Sequence, residues 1–501
     1  MILELKRGLV ELADHDPEWE TIGRLLRDIP GYDTFVKIEP ITKGYSENKK
    51  YCVTKTDGMK YLLRISPISR YESQKSLFAL HEQLAAFNAP VCKPVEIGIC
   101  SDRVYSLQSW IDGEDLKDVM PRLSETEQYM LGLRAGEILR KIHAIPISET
   151  HIDFWTNLPV KEDWSTRYNR ELNKTVNKYQ ESGLRFDGDT YVLDYINKNR
   201  YLLNDRSQCF GFDDFNVFNM MFSNDGLVII DFERYNICDP WEEFNDIVWS
   251  VKYSHHFATG QIRGYFGGEP PEEFWGLLAF YFAEYLLSFW NNQSITDEYW
   301  RDITLELSHN VLHWFDNMKN PVPTWYLKDF YVQYIDGIPY KLKAPFDFSF
   351  LSKYGKVFKA FDEQGSGNIA FGTEKNEKKY FIKFAGAPKE NYIANRDSGA
   401  IDAASAIEFL KRAVPIYTEL AHPTLIKFIK AEEIGGGYAA VFEWEDAIGI
   451  EPKGSPNYIK FMQMLVEKKM RAFEDIMAFH AHVASKGYVA LDFYDGSRLP
   501  N

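Results

Sequence analysis

Cysteine is scarce in this chain. The five present, Cys52, Cys92, Cys100, Cys209 and Cys238, are scattered, odd in number and without a CxxC pair. That excludes a disulfide framework or a thiolate zinc site as the organising element and fits reduced thiols in a cytoplasmic protein. Basic charge is also short. The 57 Lys and Arg stand against 73 Asp and Glu, a formal net charge of -16. This balance disfavours a nucleic-acid backbone or an anionic membrane as the main partner and is compatible with a cationic small molecule. Long apolar runs are missing too. The N-terminal MILELKRGLVELADHD lacks the apolar core of a signal peptide, and FWGLLAFYFAEYLLSFW (274–290) is short for a membrane span and carries Glu284. The latter reads as a buried helix.

What is present is ordinary globular composition, 45% hydrophobic and 26% charged, in a chain of 501 residues long enough for two or more domains. Residues 36–65 alternate as strands do, with a DG turn at 57–58, and the helical ESQKSLFALHEQLAAF follows. VCKPVEIGI and RVYSLQSWI read as two further strands, and ETEQYMLGLRAGEILRKIHAI (125–145) has apolar residues at helical spacing. A long polar segment then leads to CFGFDDFNVFNMMF, a turn and LVIIDFERY, after which the pattern is mostly helical to about Met318. The prolines of KNPVPTWYLKD (319–329) mark a boundary. Beyond it the β-rich order begins again: strands over 353–386, a helix over about 403–420, two strands and a long helix over 457–486.

One constellation carries chemistry. Asp214 and Asn219 lie five apart, and Asp231 ends the apolar strand LVIID twelve residues later. Acids beside an apolar core are costly unless paired or bound to a cation. Each residue alone reads as a polar turn or a strand-ending acid. As a set they supply what phosphoryl transfer from a nucleotide needs, a carboxylate for the attacking hydroxyl and oxygen ligands for Mg²⁺. Upstream, Gly44, Ser46, Lys49 and Lys50 lie in a turn whose backbone N–H groups would cover phosphates, and Arg64 in YLLRI is a strand cation able to reach under a nucleotide.

The D-x-x-x-x-N spacing, the strand ending in D-F-E, GEILRKIHAI (136–145), YSLQSWIDGEDL (105–116) and DPWEEFNDIVW (239–249), in that joint arrangement, resemble the aminoglycoside phosphotransferase family of the protein-kinase-like fold, over about residues 30–326. The resemblance implies an α+β, bilobal kinase-like domain, β-rich lobe first and α-rich lobe second. It also implies ATP or GTP as phosphoryl donor, Mg²⁺, and a small polar acceptor of the aminoglycoside type. Asp214 would be the catalytic base, Asn219 and Asp231 the Mg²⁺ ligands and Arg64 a phosphate contact, with Ser109, Trp110 and Ile111 holding the nucleotide base. Asp239, Glu242 and Glu243 are candidates for a cationic substrate, or equally helix N-terminal acids. This sequence departs from the family at Phe212-Asp213-Asp214, where His-Gly-Asp is usual, and at Phe218, where a small residue is usual. The helix acid expected opposite the strand cation falls near Leu77, with Glu72 and Glu82 out of phase.

The second half resembles an incomplete kinase-like domain. GSGNIAFG (365–372), with Gly365 and Gly367, would be its phosphate loop, Lys383 its strand cation, and Asp492 would stand at the catalytic-loop position, with Ser497 where Asn is expected. The expected organisation is therefore a kinase-like domain over 1–326, a linker over 327–344 and a partial domain over 345–501 that packs on the first domain or self-associates. Three functions remain open: transfer to an aminoglycoside-type antibiotic, transfer to a small metabolite such as an amino alcohol or sugar, and nucleotide binding without turnover.

Overall fold

Residues of period-two hydrophobicity form strands here because one face of each is buried. In the structure, a computed structural model, the described residues are 3–6, 9–10, 26–41, 48–87, 89–147, 162–224, 226–232, 235–292, 298–342, 345–362, 367–388, 402–446 and 456–489. The chain divides into two compact units, residues 1–327 and 328–501.

The first unit opens with β1 (Leu3–Lys6), β2 (Leu9–Val10), β3 (Phe35–Ile41), β4 (Lys49–Lys55) and β5 (Lys60–Pro67). Helix α1 (Tyr71–Ala86) follows, then β6 (Pro94–Cys100) and β7 (Arg103–Ser109). These strands make one antiparallel sheet in the order β2-β1-β3-β4-β5-β7-β6. Tyr51, Val53, Leu63, Ile65, Tyr105 and Leu107 form its buried face. The β4–β5 turn needs a positive φ, which Gly58 supplies at +81° while Asp57 caps the Met59 amide.

The helical part of the unit starts at β8 (Gly113–Asp115) and α2 (Glu125–His143), whose first turn is closed by a reciprocal Ser124–Glu127 capping box. The polar stretch before residue 207 is helical: α3 (Trp164–Ser182) and α4 (Asp189–Asn199) bury Trp164, Leu172, Val176, Tyr179, Val192 and Ile196. Two small sheets follow, β9 (Cys209–Gly211) with β12 (Asn236–Cys238), and β10 (Met220–Ser223) between β8 and β11 (Gly226–Ile229). Helices α5 (Ile247–Tyr253), α6 (His255–Phe266), α7 (Glu272–Asn292) and α8 (Glu298–Trp314) complete the unit. Helix α7 is the 274–290 segment and runs through the core; Phe274, Phe280, Tyr281, Phe282 and Leu286 are all fully buried. No helix among the described residues is long and apolar enough to cross a membrane.

The second unit contains β13 (Tyr331–Ile335), β14 (Ile338–Leu342), β15 (Lys356–Phe361), β16 (Asn368–Lys375), β17 (Lys378–Ala385), helix α9 (Ala403–Glu419), β18 (Phe428–Ile434), β19 (Gly437–Glu443), and helices α10 (Pro456–Met462) and α11 (Val466–Ser485). Its sheet order, β15-β16-β17-β19-β18, repeats β3-β4-β5-β7-β6 of the first unit, with a helix again between the third and fourth strands in sequence. Even the register shifts recur at the same places: Phe35/Lys37 and Pro94/Glu96 in the first sheet, Val357/Lys359 and Phe428/Lys430 in the second. The 327–344 stretch, expected as a linker, holds the β13–β14 hairpin and gives Tyr340 and Leu342 to the second unit's core. The helix expected over 457–486 is two helices, broken between Met462 and Val466.

Helices α2 and α6 approach through glycines spaced one turn apart, Gly132 and Gly136 against Gly260 and Gly264. A Cβ on any of the four would run into backbone of the opposite helix. The contact matters because α2 leads towards the strands that carry the candidate site. Gly136→Ala is expected to destabilise the protein by about 1–3 kcal/mol through overpacking, despite the roughly 1 kcal/mol that alanine gains in helix propensity. Thermal unfolding checks this, and an unchanged or higher Tm would refute the packing argument.

Candidate active site

Strands β4 and β5 pair Lys50 directly opposite Arg64. Two cations facing each other across a ladder repel, and Arg64 is only 8% exposed. The arrangement therefore requires an anion. Asp231 provides it: its Oδ1 accepts from Lys50 Nζ at 3.2 Å and from Arg64 Nη2 at 3.3 Å. Burial alone would raise the Asp231 carboxyl, but Arg64 and Lys50 outweigh it and hold the group below its ordinary value. Lys50 is lowered, first by burial and then by Arg64. Asp231 sits at φ +61°, a left-handed conformation that a non-glycine residue holds only when its surroundings impose it.

Of the two lysines placed in the phosphate-covering turn from the sequence, Lys49 lies on β4 with its side chain exposed. Its neighbour Lys50 points to the opposite face and reaches Asp231. Both belong to a strand and not to a turn, and the period of two decides which one serves the site. Gly44 and Ser46 lie outside the described residues.

The loop at 212–219 is built on asparagines. Asn219 Nδ2 donates to the Asp214 carbonyl oxygen at 2.9 Å, and Asn216 Nδ2 donates to Asp214 Oδ1 at 2.6 Å. Asn216 Oδ1 in turn caps the Phe218 amide, and the Ile230 amide donates to the Asn219 carbonyl, joining this loop to the strand before Asp231. Asp213 takes φ +71° and accepts from Asn236 Nδ2, so its role is to hold the turn. Phe212 is buried edge-on against Phe215 and Phe232, with ring centroids 5.6 and 4.5 Å away. Aromatic packing thus anchors the loop where the family's histidine would stand. Phe218 turns outward against Trp249 and Tyr253 and leaves the Asn219–Asp214 contact intact.

Sequence reasoning passed over His81 on α1. Its Nε2 lies 3.1 Å from the Phe232 carbonyl oxygen and its Nδ1 lies 3.0 Å from Gln108 Nε2, so the ring is neutral and donates through Nε2. It also packs edge-on against Phe232. His81, Gln108 and the loop of Asp231 are thereby one hydrogen-bonded unit. Leu77, one turn earlier, is buried in the core, and Glu72 and Glu82 are exposed. The only sequence signal for His81 was a histidine on the buried face of an amphipathic helix.

At the end of β7 the Ser109 amide donates to the Lys93 carbonyl and the Trp110 amide to that of Lys60. Two of the three amides proposed to meet a nucleotide base therefore already serve the sheet. The acids divide. Asp239 is fully buried and bound by Arg206 at 2.6 and 3.0 Å, by Tyr281 and by the Trp241 amide; it is an internal anchor, not a substrate contact. Glu243 is also buried, accepting from the Phe212 amide at 2.7 Å and facing His143, which supports the loop from behind. Glu242 remains half-buried beside Asp246 and Glu284. Burial and the neighbouring acids push Glu242 and Asp246 well up, and burial raises Glu284 to about 7. Trp249 donates to Tyr285, which donates to Asp246, so aromatic side chains adjoin this acidic cluster. In the second unit, burial lowers Lys383 on β17, and Gly367 takes φ +70° before β16. Gly365 and Asp492 lie outside the described residues.

A sheet lobe bearing paired cations, above a helical lobe bearing a D-x-x-x-x-N loop and a strand-ending aspartate, is the protein-kinase-like fold. Residues 37–275 match the family described as "Phosphotransferase enzyme family", APH. No curated protein matches the sequence significantly. Among solved structures, the chain is similar to the streptomycin–ATP–APH(2'')-IIa ternary complex at 18% identity, with TM-score 0.41, covering 59% of this chain and 97% of the other. It is similar to the apo form of a thermostable mutant of aminoglycoside phosphotransferase APH(4)-Ia at 16% identity, with TM-score 0.43, covering 58% and 97%. The choline/ethanolamine kinase family protein from Mesorhizobium loti has 16% identity and TM-score 0.43, over 61% and 97%.

The neutral His81 ring has a measurable consequence. Burial, followed by the nearby Arg64, lowers its pKa from 6.5 to about 4. A lowered histidine stabilises the fold fully above pH 6.5 and loses that contribution as pH falls towards 4. The stability difference between wild type and His81→Gln should therefore shrink across this window, by on the order of 2–3 kcal/mol. Chemical denaturation at a series of pH values checks it; a pH-independent difference would contradict a neutral His81.

Proposed function

We propose that the first unit transfers the γ-phosphate of ATP or GTP to a hydroxyl of a small, positively charged polar molecule, with an aminoglycoside-type acceptor favoured. The observation that carries this reading is the Lys50–Asp231–Arg64 cluster, joined to the Asp214–Asn219 loop by the Ile230–Asn219 backbone hydrogen bond. Asp214 would orient the acceptor hydroxyl and take its proton, its own position held by Asn216 and Asn219. Mg²⁺ fits the residues present. Asn219 commits its nitrogen to the Asp214 carbonyl, which leaves its oxygen as a hard donor, and its backbone is bonded to Ile230, the residue before Asp231. Among the described residues no group of three or more His, Cys, Asp or Glu could hold a metal ion, so nucleotide phosphates would complete the coordination. When bound, the cation would neutralise charge on the transferring phosphate. With Asp231 engaged in that way, Lys50 and Arg64 would be released towards phosphate oxygens, and the Ile111 amide and hinge carbonyls would meet the base.

The cluster of Glu242, Asp246 and Glu284 supports a cationic acceptor. Burial and neighbouring acids raise Glu242 and Asp246, and burial raises Glu284, so a bound ammonium group would relieve all three, and the adjoining aromatic rings suit the same partner. Asp239 and Glu243, being buried and paired, take no part in that recognition. An amino alcohol meets the same chemistry as an aminoglycoside. Nucleotide binding without turnover is a second reading, supported by α1, which presents Leu77 and His81 rather than an acid near Arg64.

Asp214→Ala is expected to lower phosphoryl transfer by about 10²–10⁴-fold while Mg-nucleotide binding stays within a fewfold of wild type. A panel of aminoglycosides and amino alcohols, assayed with ATP and GTP, tests this; undiminished turnover by the variant would remove Asp214 from the mechanism. Glu284→Gln should separate stability from binding. A raised carboxyl costs the fold stability as pH rises from 4.5 to about 7 and beyond. The variant should accordingly be more stable than wild type at pH 8 yet bind a cationic acceptor at least about tenfold more weakly. Equal acceptor affinity in calorimetry would exclude Glu284 from the cluster's recognition.

A further inference from the structure

Helix α11 is twenty residues long, yet Val483 is its one buried side chain. Val466, Met470, Phe473 and Met477 recur at steps of four, three and four, and they are 68%, 51%, 55% and 52% exposed. In a folded protein most helical stability comes from packing an apolar face, and a continuous exposed stripe marks a contact surface. The spacing is that of a heptad seam, with Met470 and Met477 at the a positions and Val466 and Phe473 at the d positions. The flanking charges choose the occupant. Lys469 falls at g and Glu474 at the following e, while Glu467 falls at the preceding e. In a parallel pair of identical helices, Lys469 of each copy faces Glu474 of the other, twice over. In an antiparallel pair, Glu467 would face Glu474 and repel it. The charges are self-complementary in one orientation only.

We propose that the exposed face of α11 is a parallel, two-fold seam between two copies of this chain, centred on Met470 and Phe473 and bordered by two Lys469–Glu474 pairs. A two-fold axis makes such a contact closed, so it yields dimers rather than fibres. In the single chain Lys469 Nζ donates to the Met462 carbonyl in an exposed contact, which exchanges readily for a carboxylate.

Sedimentation equilibrium of the full chain over a concentration series tests the proposal. A monomer–dimer equilibrium is expected, abolished by Phe473→Glu with circular dichroism unchanged. Lys469→Glu and Glu474→Lys should each weaken association by about tenfold or more. An equimolar mixture of these two variants should restore it, because both cross-pairs become attractive. A chain that stays monomeric throughout, a dimer indifferent to Phe473→Glu, or a mixture that fails to recover would each overturn the proposal. Protection of the stripe from hydrogen exchange in a monomeric protein would assign it to another occupant and overturn it equally.

Discussion

Two cations placed opposite each other on adjacent strands cannot stand alone in a half-buried site, and the first unit is organised around that constraint. Lys50 and Arg64 are brought face to face by the β4–β5 register, and Asp231 reaches them from the helical lobe in a left-handed backbone conformation. The ion cluster ties lobe to lobe. It also explains why the loop around Asp231 must be held from several sides, since a misplaced carboxylate would no longer offset the repulsion between two facing cations.

The holding is done by uncharged groups. Phe232 lies between His81 and Phe212, which links α1, the Asp231 loop and the 212–219 loop through edge-on ring contacts. His81 adds a hydrogen bond to the Phe232 carbonyl, and Glu243 secures the Phe212 amide from below. The departures at Phe212 and Phe218 have different physical meanings. Phe212 anchors the loop by ring packing on Phe215 and Phe232, whereas Phe218 turns outward against Trp249 and Tyr253. Neither disturbs the Asn219–Asp214 contact.

Carboxylates in the same short stretch of sequence have opposite fates. Within DPWEEFNDIVW, Asp239 and Glu243 are buried anchors, and Glu242 and Asp246 form an acidic cluster with Glu284 from α7. The cost of gathering like charges is met partly by raised pKa values, and a cationic ligand would relieve it further. The second unit repeats the sheet order and register shifts of the first, with an exposed helix α11 where the first unit has a covered core. Architecture is shared between the units, but burial is not.

Strand alternation, helical spacing and the turn residues near 57–58 and 319–329 made the order of elements legible in the sequence, because those signals are local. The spacing of Asp214, Asn219 and Asp231 was legible for the same reason. What tertiary structure alone decided was partnership. The pleat selected Lys50 over Lys49, the lobe arrangement brought Asp231 between two cations, and helix packing took Asp239 and Glu243 out of solvent while leaving Glu242 half-exposed. It also turned the expected linker into a hairpin with core residues. Burial and charge pairing depend on which elements meet, and residues far apart in sequence carry no local pattern that records the meeting.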